Sequence, residues 1–224
     1  MISLEEWVGM SRINKTLSIE RNCGVSGVGG KRSAVYGVGI NDATFCPQPR
    51  IDGKVILCPA YDAWQGMLRR CYSSKSQAKR PTYAGVLVCN EWHSFMSFRA
   101  WWMENQVDGW DLDKDILSSS KIYSPSTCIF VPPWLNGFAN SQASSRGKWL
   151  IGVHLHKRLG RFCAMCRNVL SGRQEHLGYF DTEMDAHLAW LERKIEIALE
   201  LKPRMDEVDV RIYPRVVEMV RSAT

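Results

Sequence analysis

The chain has 224 residues, of which 45% are hydrophobic, so it can bury one or two cores and is neither disordered nor collagen-like. No apolar run reaches the ~18 residues of a membrane-spanning helix, and the first residues lack the apolar core of a signal peptide, which predicts a cytoplasmic protein without a membrane partner. Its 29 basic and 23 acidic residues give a net charge of +6, which favours a polyanionic partner.

The first 52 residues are rich in glycine and weakly periodic. The stretch from Gly24 to Arg32 resembles a phosphate-binding loop in its glycine content. That motif, however, requires glycine where Val25 stands and serine or threonine where Arg32 stands. We therefore predict a flexible basic arm over residues 1–52 rather than a nucleotide site.

The next part of the chain alternates between helical and strand-like patterns. Apolar side chains recur every three to four residues over 58–72, and aromatic ones do so over 91–103, which predicts two helices with buried faces. Short apolar runs at 86–89 and 128–131 predict strands. A short helix is expected after the two prolines that follow the second run.

Two charged clusters lie among these elements. Arg69 and Arg70 begin a basic run that meets no acid before Glu91, and we predict that both arginines contact DNA. Three aspartates then occupy alternate positions, so on a strand their carboxylates share one face. Clustered carboxylates are typical of a divalent-cation site because unpaired ones repel, and a solvated acidic turn is the alternative. The three are Asp111, Asp113 and Asp115.

The chain contains eight cysteines, and without a signal peptide these are expected to stay reduced. Cys58, Cys71, Cys89 and Cys128 all lie in residues 53–140, and four thiolates would suit a structural zinc ion. Their spacing is long and irregular, and Cys71 falls on the apolar face of a predicted helix, so packing in the core is the alternative.

After a small and polar stretch at 139–147, which is typical of a linker, the pattern changes to three strands and one long helix. The helix begins at a Thr182 cap with Asp185 as its capping-box partner, and Pro203 is expected to end it. The strands are predicted at 149–156, 161–167 and 176–180, the helix at 183–201, and one further short helix in the last twenty or so residues.

Positive charge is concentrated on these three strands. Residues 147–180 carry six basic residues against one acid, a net charge of +5. Alternation places His154, His156 and Arg158 on one face of the first strand, and Arg161 and Arg167 on one face of the second. A basic sheet face suits the DNA major groove, whereas a charged surface without a ligand is the alternative. The predicted DNA contacts here are His154, His156, Lys157, Arg158, Arg161 and Arg167.

The same region contains four short motifs: Ile151-Gly-Val153, Gly160-Arg-Phe-Cys-Ala164, Leu177-Gly-Tyr-Phe-Asp-Thr182 and Ala186-His-Leu-Ala-Trp190. In this order they resemble the APETALA-type, ethylene-response-factor-like, DNA-binding domain. That resemblance implies a three-stranded antiparallel sheet packed on one helix, with basic and aromatic strand residues touching double-stranded DNA.

The preceding region contains further motifs: Cys58 to Tyr72, Pro81 to Tyr83, Val88 to Phe98, Leu112 to Ile116, and Tyr123 to Val131 followed by Asn136. These segments resemble a phage-encoded family of H-N-H-type, homing-endonuclease-like proteins. The resemblance implies a ββα-metal module that holds Mg²⁺ or Mn²⁺. Asp113 and Asn136 fall at its metal-ligand positions, and Lys114 falls where the family has its catalytic histidine.

The lysine at that position bears directly on catalysis. An ordinary lysine, with a pKa of about 10.4, is protonated at neutral pH and cannot accept a proton from water. Burial could lower the pKa of Lys114, or Asp115 or His93 could serve as the base. The site could also be inactive, in which case the chain only binds DNA.

The sequence therefore predicts an α+β chain whose leading function is phosphodiester hydrolysis by a phage homing-endonuclease-like protein in the host cytoplasm. Asp113, Lys114, Asp115 and Asn136 are the predicted catalytic residues. A catalytically inactive DNA-binding regulator, and a phage protein that blocks a host factor through its aromatic helix, are the alternatives. The predicted parts are an arm (1–52), an H-N-H-like nuclease module (53–140), an APETALA-type domain (141–202) and an extension (203–224).

Overall fold

The computed structural model describes residues 9–23, 33–51, 53–140 and 148–222. They form two compact units of mixed helix and sheet, Met1–Asp115 with Ser119–Phe130, and Ile116–Ser118 with Val131–Thr224. The predicted α+β class is confirmed. The glycine-rich stretch 24–32 and most of the predicted linker, 141–147, lie outside the described residues.

The elements up to Val131 are helices joined by short strand pairs. The strands form three two-stranded sheets, β1 with β2, β3 with β5, and β4 with β6. In chain order the elements are α1 (Arg12–Asn22), β1 (Arg50–Ile51), β2 (Lys54–Val55), α2 (Pro59–Tyr72), α3 (Ser74–Lys79), β3 (Leu87–Val88), α4 (Phe95–Asn105), β4 (Asp111–Asp113), β5 (Ile122–Tyr123) and β6 (Ile129–Val131).

Aromatic side chains from α2 and α4 make the core of the first unit. Trp64 is fully buried, and its indole nitrogen donates a hydrogen bond of 2.7 Å to the backbone carbonyl of Trp92. The ring of Phe95 meets both Trp64 and Tyr61 at centroid distances of 5.5 and 4.9 Å. The apolar positions that predicted these two helices are therefore the ones that fill the core.

The predicted helix 91–103 is wrong at its start. A 3-10 turn, Asn90–His93, comes first, and α4 begins only after Ser94. The Ser94 hydroxyl accepts a hydrogen bond from the Ser97 amide at 3.0 Å and donates one to Asp42 at 2.6 Å. These bonds cap a new helix, because a capping serine adopts extended rather than helical backbone angles.

The second unit contains a sheet of three antiparallel strands and three helices. The strand order is β7-β8-β9, and the predicted three-stranded antiparallel sheet is confirmed. The first strand begins later than expected because Gly152 has a φ of +80°, a left-handed conformation that interrupts an extended strand. The elements are α5 (Pro133–Asn140), β7 (Val153–His156), β8 (Arg161–Asn168), β9 (Arg173–Phe180), α6 (Glu183–Asp206) and α7 (Ile212–Arg221).

The long helix α6 begins as predicted and ends later. The Thr182 hydroxyl accepts a hydrogen bond from the Asp185 amide at 3.1 Å and donates one to the Asp185 carboxylate at 2.7 Å. Pro203 does not end the helix. Leu201 and Met205, on either side of it, are fully buried, and burying two such side chains is worth about 3–6 kcal/mol, enough to offset the hydrogen bond that proline removes.

Helix α6 covers one face of the sheet and also packs against α7. At its first half, Trp190 lies against Gly152, where a Cβ atom would approach the indole ring to 2.1 Å. His187 stacks on Trp190 and its Nδ1 lies 2.9 Å from the carbonyl oxygen of Ile151. None of the helices in the described part of the chain could cross a membrane.

Candidate nucleic-acid interface

The strand register defines which side chains share the face of the sheet opposite α6. His154 pairs with Cys163 and Cys163 with Tyr179, while Ala164 and Cys166 on the same strand are fully buried on the helix side. Since directly opposed residues project to the same side, the whole face can be assigned. This outer face consists of His154, His156, Arg161, Cys163, Met165, Arg167, Gln174, His176 and Tyr179.

A β-bulge shapes the third strand of this sheet. The register shifts between Ala164 and Met165, which pair with Gly178 and His176 and leave Leu177 without an opposite residue. Gly178 adopts a φ of +133° at this point, a conformation that favours glycine. The extra residue brings His176 and Tyr179 to the same face although they are three apart, so strict alternation in the sequence could not have paired them.

Tyr179 lies between two histidines at the centre of the outer face. Its ring meets the His156 ring edge-on at a centroid distance of 5.3 Å and the His176 ring at 4.7 Å. Tyr179 remains 37% exposed, so this aromatic surface is open to a ligand. Tyr179 and His176 were not predicted as contacts, and the signal for them was the aromatic character of the strand that carries them.

Charges in this sheet are sorted by side. Glu175, the one acid in the three strands, faces α6, where it accepts hydrogen bonds from Arg193 at 2.7 Å and from Asn168 at 2.7 Å. These hydrogen bonds lower the pKa of Glu175. Arg167 is exposed on the outer face, whereas Arg161 pairs there with Asp181 at 2.8 Å. The outer face is therefore basic and aromatic.

The remaining predicted contacts of this region lie beside the face rather than on it. Strand β7 ends at His156, so Lys157 and Arg158 belong to the turn that leads into β8. Both side chains are exposed. The alternation that placed Arg158 on the histidine face is wrong, because the chain turns before reaching it. The two residues form an exposed basic turn at the edge of the sheet.

The three aspartates predicted to share a strand face do not do so. Strand β4 ends at Asp113, which is 7% exposed, and Asp115 lies in the following turn. The Asp113 carboxylate accepts a hydrogen bond of 2.7 Å from the Asp115 amide, a local bond typical of an aspartate that starts a turn. Asp111 is exposed. The strand therefore stops before the third carboxylate.

Lys114 is buried next to one of the predicted catalytic carboxylates. Lys114 is 6% exposed, its ammonium forms an ion pair with Asp115, and it lies 5.8 Å from the centroid of the Tyr123 ring. His93 packs against another aromatic ring of the first unit, that of Tyr72, at a centroid distance of 6.3 Å. Asn136 lies in α5 and belongs to the second unit.

The carboxylate predicted to hold a metal ion, that of Asp113, accepts a hydrogen bond from the Asp115 backbone amide. Across the described ranges, no three histidine, cysteine, aspartate or glutamate side chains are grouped so that they could hold one ion. We therefore derive no catalytic step that involves Mg²⁺ or Mn²⁺.

The four-cysteine zinc site is not formed. Cys58 and Cys71 stand at opposite ends of the 14-residue helix α2, about 20 Å apart, so a single ion cannot bind both. The Cys58 thiol donates a hydrogen bond to the Thr16 hydroxyl at 3.7 Å. Burial raises the pKa of Cys71 to about 11 and that of Cys128 to about 12, which keeps both thiols neutral. Core packing, the alternative, accounts for their burial.

Arg69 and Arg70, the DNA contacts predicted in the first unit, have different surroundings. Arg69 is exposed on the last turn of α2. Arg70 is half-buried beside the rings of Tyr83 and Tyr123. The two neighbouring arginines have the same charge but different surroundings, so variants of the two can be compared directly.

Comparison of the chain with protein-family models, with curated protein sequences and with solved structures finds no match. A functional proposal for this chain consequently rests on the geometry and charge of its own residues.

Proposed function

We propose that the chain binds double-stranded DNA through the outer face of the β7-β8-β9 sheet. The observation that carries this proposal is the sorting of charge. The single acid of the three strands, Glu175, is bound on the helix side, while arginine, histidine and tyrosine occupy the opposite face. Folding of the sheet does not require that one of its faces be basic, whereas binding of a phosphate-rich ligand does.

The shape of this face suits the major groove of B-DNA. A small antiparallel sheet fits that groove, and side chains on its outer face then reach the edges of the bases. The Arg167 guanidinium offers the paired donors that guanine accepts, and Tyr179 offers an apolar ring edge. Lys157 and Arg158, in the turn beside the face, are placed for contacts with phosphates.

The resemblance to the APETALA-type domain supports the same proposal. It implies a three-stranded antiparallel sheet backed by one helix, and the described second unit contains such a sheet with α6 on one side. Basic residues of the strands touch DNA in that family. The residues that match here include Arg161 and Arg167, both on the outer face.

A duplex-binding assay tests the proposal. Fluorescence anisotropy with a mixed-sequence duplex of roughly 20 base pairs should show binding that weakens steeply between about 50 and 200 mM salt. Arg167→Gln and Tyr179→Ala should each weaken binding about tenfold or more. Arg221→Gln, which removes the same charge from the exposed end of α7, should change it less than about twofold.

Three results would contradict duplex binding by this face. The first is no binding at low salt, and the second is an equal loss in the Arg167 and Arg221 variants. The third is tighter binding of single-stranded RNA than of the DNA duplex, since this would assign the face to a different polymer.

Cleavage of bound DNA stays a prediction. It rests on the H-N-H resemblance of the sequence alone. The ion pair of Lys114 with Asp115 and the engaged Asp113 carboxylate do not supply an evident base or metal site. The non-cleaving DNA-binding protein is therefore the form of the proposal that the residues support better.

The proposal that the chain blocks a host factor depended on an exposed aromatic helix. In α4, Phe95, Phe98 and Trp102 are buried in the core of the first unit, while Trp101 is partly buried against Trp92 and Phe130. Most of the aromatic side chains of this helix therefore serve the core, which leaves less of its surface for a protein partner.

A further inference from the structure

Arg70 occupies an unusual position near the end of α2. Its guanidinium carbon lies 5.8 Å from the centroid of the Tyr83 ring and 5.6 Å from that of Tyr123. Its Nε donates a hydrogen bond of 3.3 Å to the Tyr123 hydroxyl. Two aromatic rings and one hydrogen bond therefore fix the orientation of this guanidinium before any ligand arrives.

The partners of Arg70 differ from those of other partly buried arginines. Arg99 pairs with Glu20 at 2.5 Å, and Arg193 pairs with Glu175 at 2.7 Å. The contacts described for Arg70 are instead with the two phenol groups. A partly buried cation usually has an anionic partner, because removing a charge from water is costly unless another charge or hydrogen bond compensates.

The electrostatics of this position agree with a guanidinium that has no anionic partner at pH 7 among the neighbouring groups that the structure describes. Burial lowers the pKa of Arg70, whereas Tyr123, Tyr83 and Cys71 raise it, and the net direction is upward. Burial in turn raises the pKa of Tyr123, and it raises that of Cys71 to about 11. Tyr123 and Cys71 are thus uncharged at pH 7, so neither neutralises the guanidinium.

One end of the guanidinium lies beside a glycine, and Arg70 is partly exposed. Gly66 lies one turn earlier on α2, and a Cβ atom there would be 3.6 Å from Nη1 of Arg70. Because Gly66 has no side chain, no side chain covers Nη1 at this position of the helix. The paired donors of an arginine edge match two oxygens of a phosphate or carboxylate group.

The surroundings favour an extended polyanion over a single carboxylate. Lys75, Lys79 and Arg80 follow along the chain, and all three are exposed. No acidic residue occurs between Asp62 and Glu91. Several exposed cations that follow closely in the sequence add affinity for a repeated phosphate backbone, and add little for one small anion.

We propose that the Arg70 guanidinium, held between Tyr83 and Tyr123 with Nη1 beside Gly66, is a binding site for a phosphodiester group of a nucleic-acid backbone. This site belongs to the first unit, whereas the outer face of the sheet belongs to the second. The inference shares with the proposed function only the class of partner, and the two sites can be observed independently.

NMR of the ¹⁵N-labelled full chain distinguishes the two sites. The Nε–H signal of Arg70, assigned from its loss in Arg70→Lys, should shift on titration with a duplex of roughly 20 base pairs, as should the backbone amides of β8. A shift in β8 without one at Arg70 overturns this inference and leaves the proposed function standing. A shift at Arg70 without one in β8 overturns the proposed function and leaves this inference standing. The absence of a shift at both sites overturns both proposals.

Matched variants test whether the site is more than general charge. Arg70→Gln should weaken duplex binding about five- to tenfold and lower the slope of log affinity against log salt by about one, whereas Arg69→Gln should weaken it about twofold. Arg70→Lys keeps the charge but not the paired donors. On a logarithmic scale, its loss of affinity should therefore be at least half of the loss in Arg70→Gln. Thermal unfolding of each variant checks that the fold is kept.

Equal losses in the Arg69 and Arg70 variants would overturn the inference, because exposed charge alone would then explain them. An Arg70→Lys variant with wild-type affinity would overturn it as well, because the oriented pair of guanidinium donors would then be unnecessary. Inorganic phosphate serves as a second probe. A shift of the Arg70 Nε–H signal at millimolar phosphate supports the site, and a shift with phosphate but not with duplex would assign it to small anions and overturn the assignment to a backbone.

Discussion

Arg193 on α6 donates hydrogen bonds to both carboxylate oxygens of Glu175 on β9, through Nε at 2.7 Å and through Nη2 at 3.3 Å. The same guanidinium also reaches Glu196 at 2.8 Å on its own helix. This pair links the sheet to the helix behind it. It also holds the only acid of the three strands away from the outer face, and so keeps that face basic.

Glu175→Gln should lower the melting temperature at pH 7, because Arg193 then loses its charged partner on the sheet and keeps only those on its own helix. The hydrogen bonds from Arg193 and Asn168 lower the pKa of Glu175, so the ionised carboxylate stabilises the fold above the ordinary glutamate range and this contribution is lost as pH falls through the lowered pKa. The difference in melting temperature between variant and wild type should therefore become smaller below about pH 4. Differential scanning calorimetry at several pH values measures it.

Glu192→Gln, at an exposed position of the same helix, is the matched control and should leave the melting temperature nearly unchanged. A Glu175→Gln melting temperature equal to that of wild type at pH 7 would show that the pair does not join sheet and helix.

Lys194→Met should stabilise the protein. Lys194 is 3% exposed, its ammonium lies 3.8 Å from the centroid of the Phe138 ring, and burial lowers its pKa from 10.5 to about 8. The folded chain therefore loses this proton at a lower pH than the unfolded chain does. Wild-type stability consequently rises as pH increases from about 8 to about 10.5.

Methionine removes the cost of burying a charge, and we expect a gain of up to about 3 kcal/mol in unfolding free energy at pH 7. The gain should shrink towards zero by about pH 10.5, where lysine is neutral in both states. Lys202→Met, at a partly exposed position of the same helix where the lysine pairs with Asp206, should bring no such gain at either pH. Chemical denaturation at pH 7 and pH 10 measures both, and a gain that does not depend on pH would refute the assignment.

Gly152→Ala should destabilise the second unit more than Gly160→Ala does. Both glycines have positive φ, +80° and +64°, so alanine strains the backbone at each by about 1 kcal/mol. At Gly152 the new Cβ would also meet Trp190 at 2.1 Å, while at Gly160 nothing lies within 4 Å. The clash should add about 1–3 kcal/mol. Equal melting temperatures for the two variants would mean that Trp190 does not pack against Gly152.

Asp113→Asn should abolish any nicking of supercoiled plasmid that wild type shows with Mg²⁺ or Mn²⁺. The predicted nuclease site depends on this carboxylate, whereas Asp111→Asn, at an exposed position of the same strand, should retain activity. Gel electrophoresis of plasmid after incubation separates nicked from intact DNA. Intact plasmid with wild type, together with a retained gel shift, would refute cleavage and leave the DNA-binding proposal in place.

Much of the secondary structure could be predicted from local patterns. The helix over 58–72 and the Thr182 cap are properties of a few neighbouring residues, and the structure places both as expected. The inward packing of Trp64 follows from helical spacing alone. The concentration of positive charge on three consecutive strands was likewise visible in the sequence before their arrangement was known.

Other features depend on contacts between distant residues. Pro203 continues a helix because Leu201 and Met205 are buried, and His176 joins Tyr179 because a bulge at Gly178 shifts the register. Neither effect can be inferred from spacing, since long-range packing and pairing outweigh the local preference.

The sequence by itself determined the α+β class, the three strands with their long helix, and the basic character of those strands, because periodicity and composition are local properties. Only the tertiary structure decided that Glu175 faces the helix and that Arg70 lies between Tyr83 and Tyr123. Tyr123 is more than fifty residues from Arg70 along the chain. Whether a charge has a partner depends on which distant side chains folding brings beside it, and no local pattern encodes that.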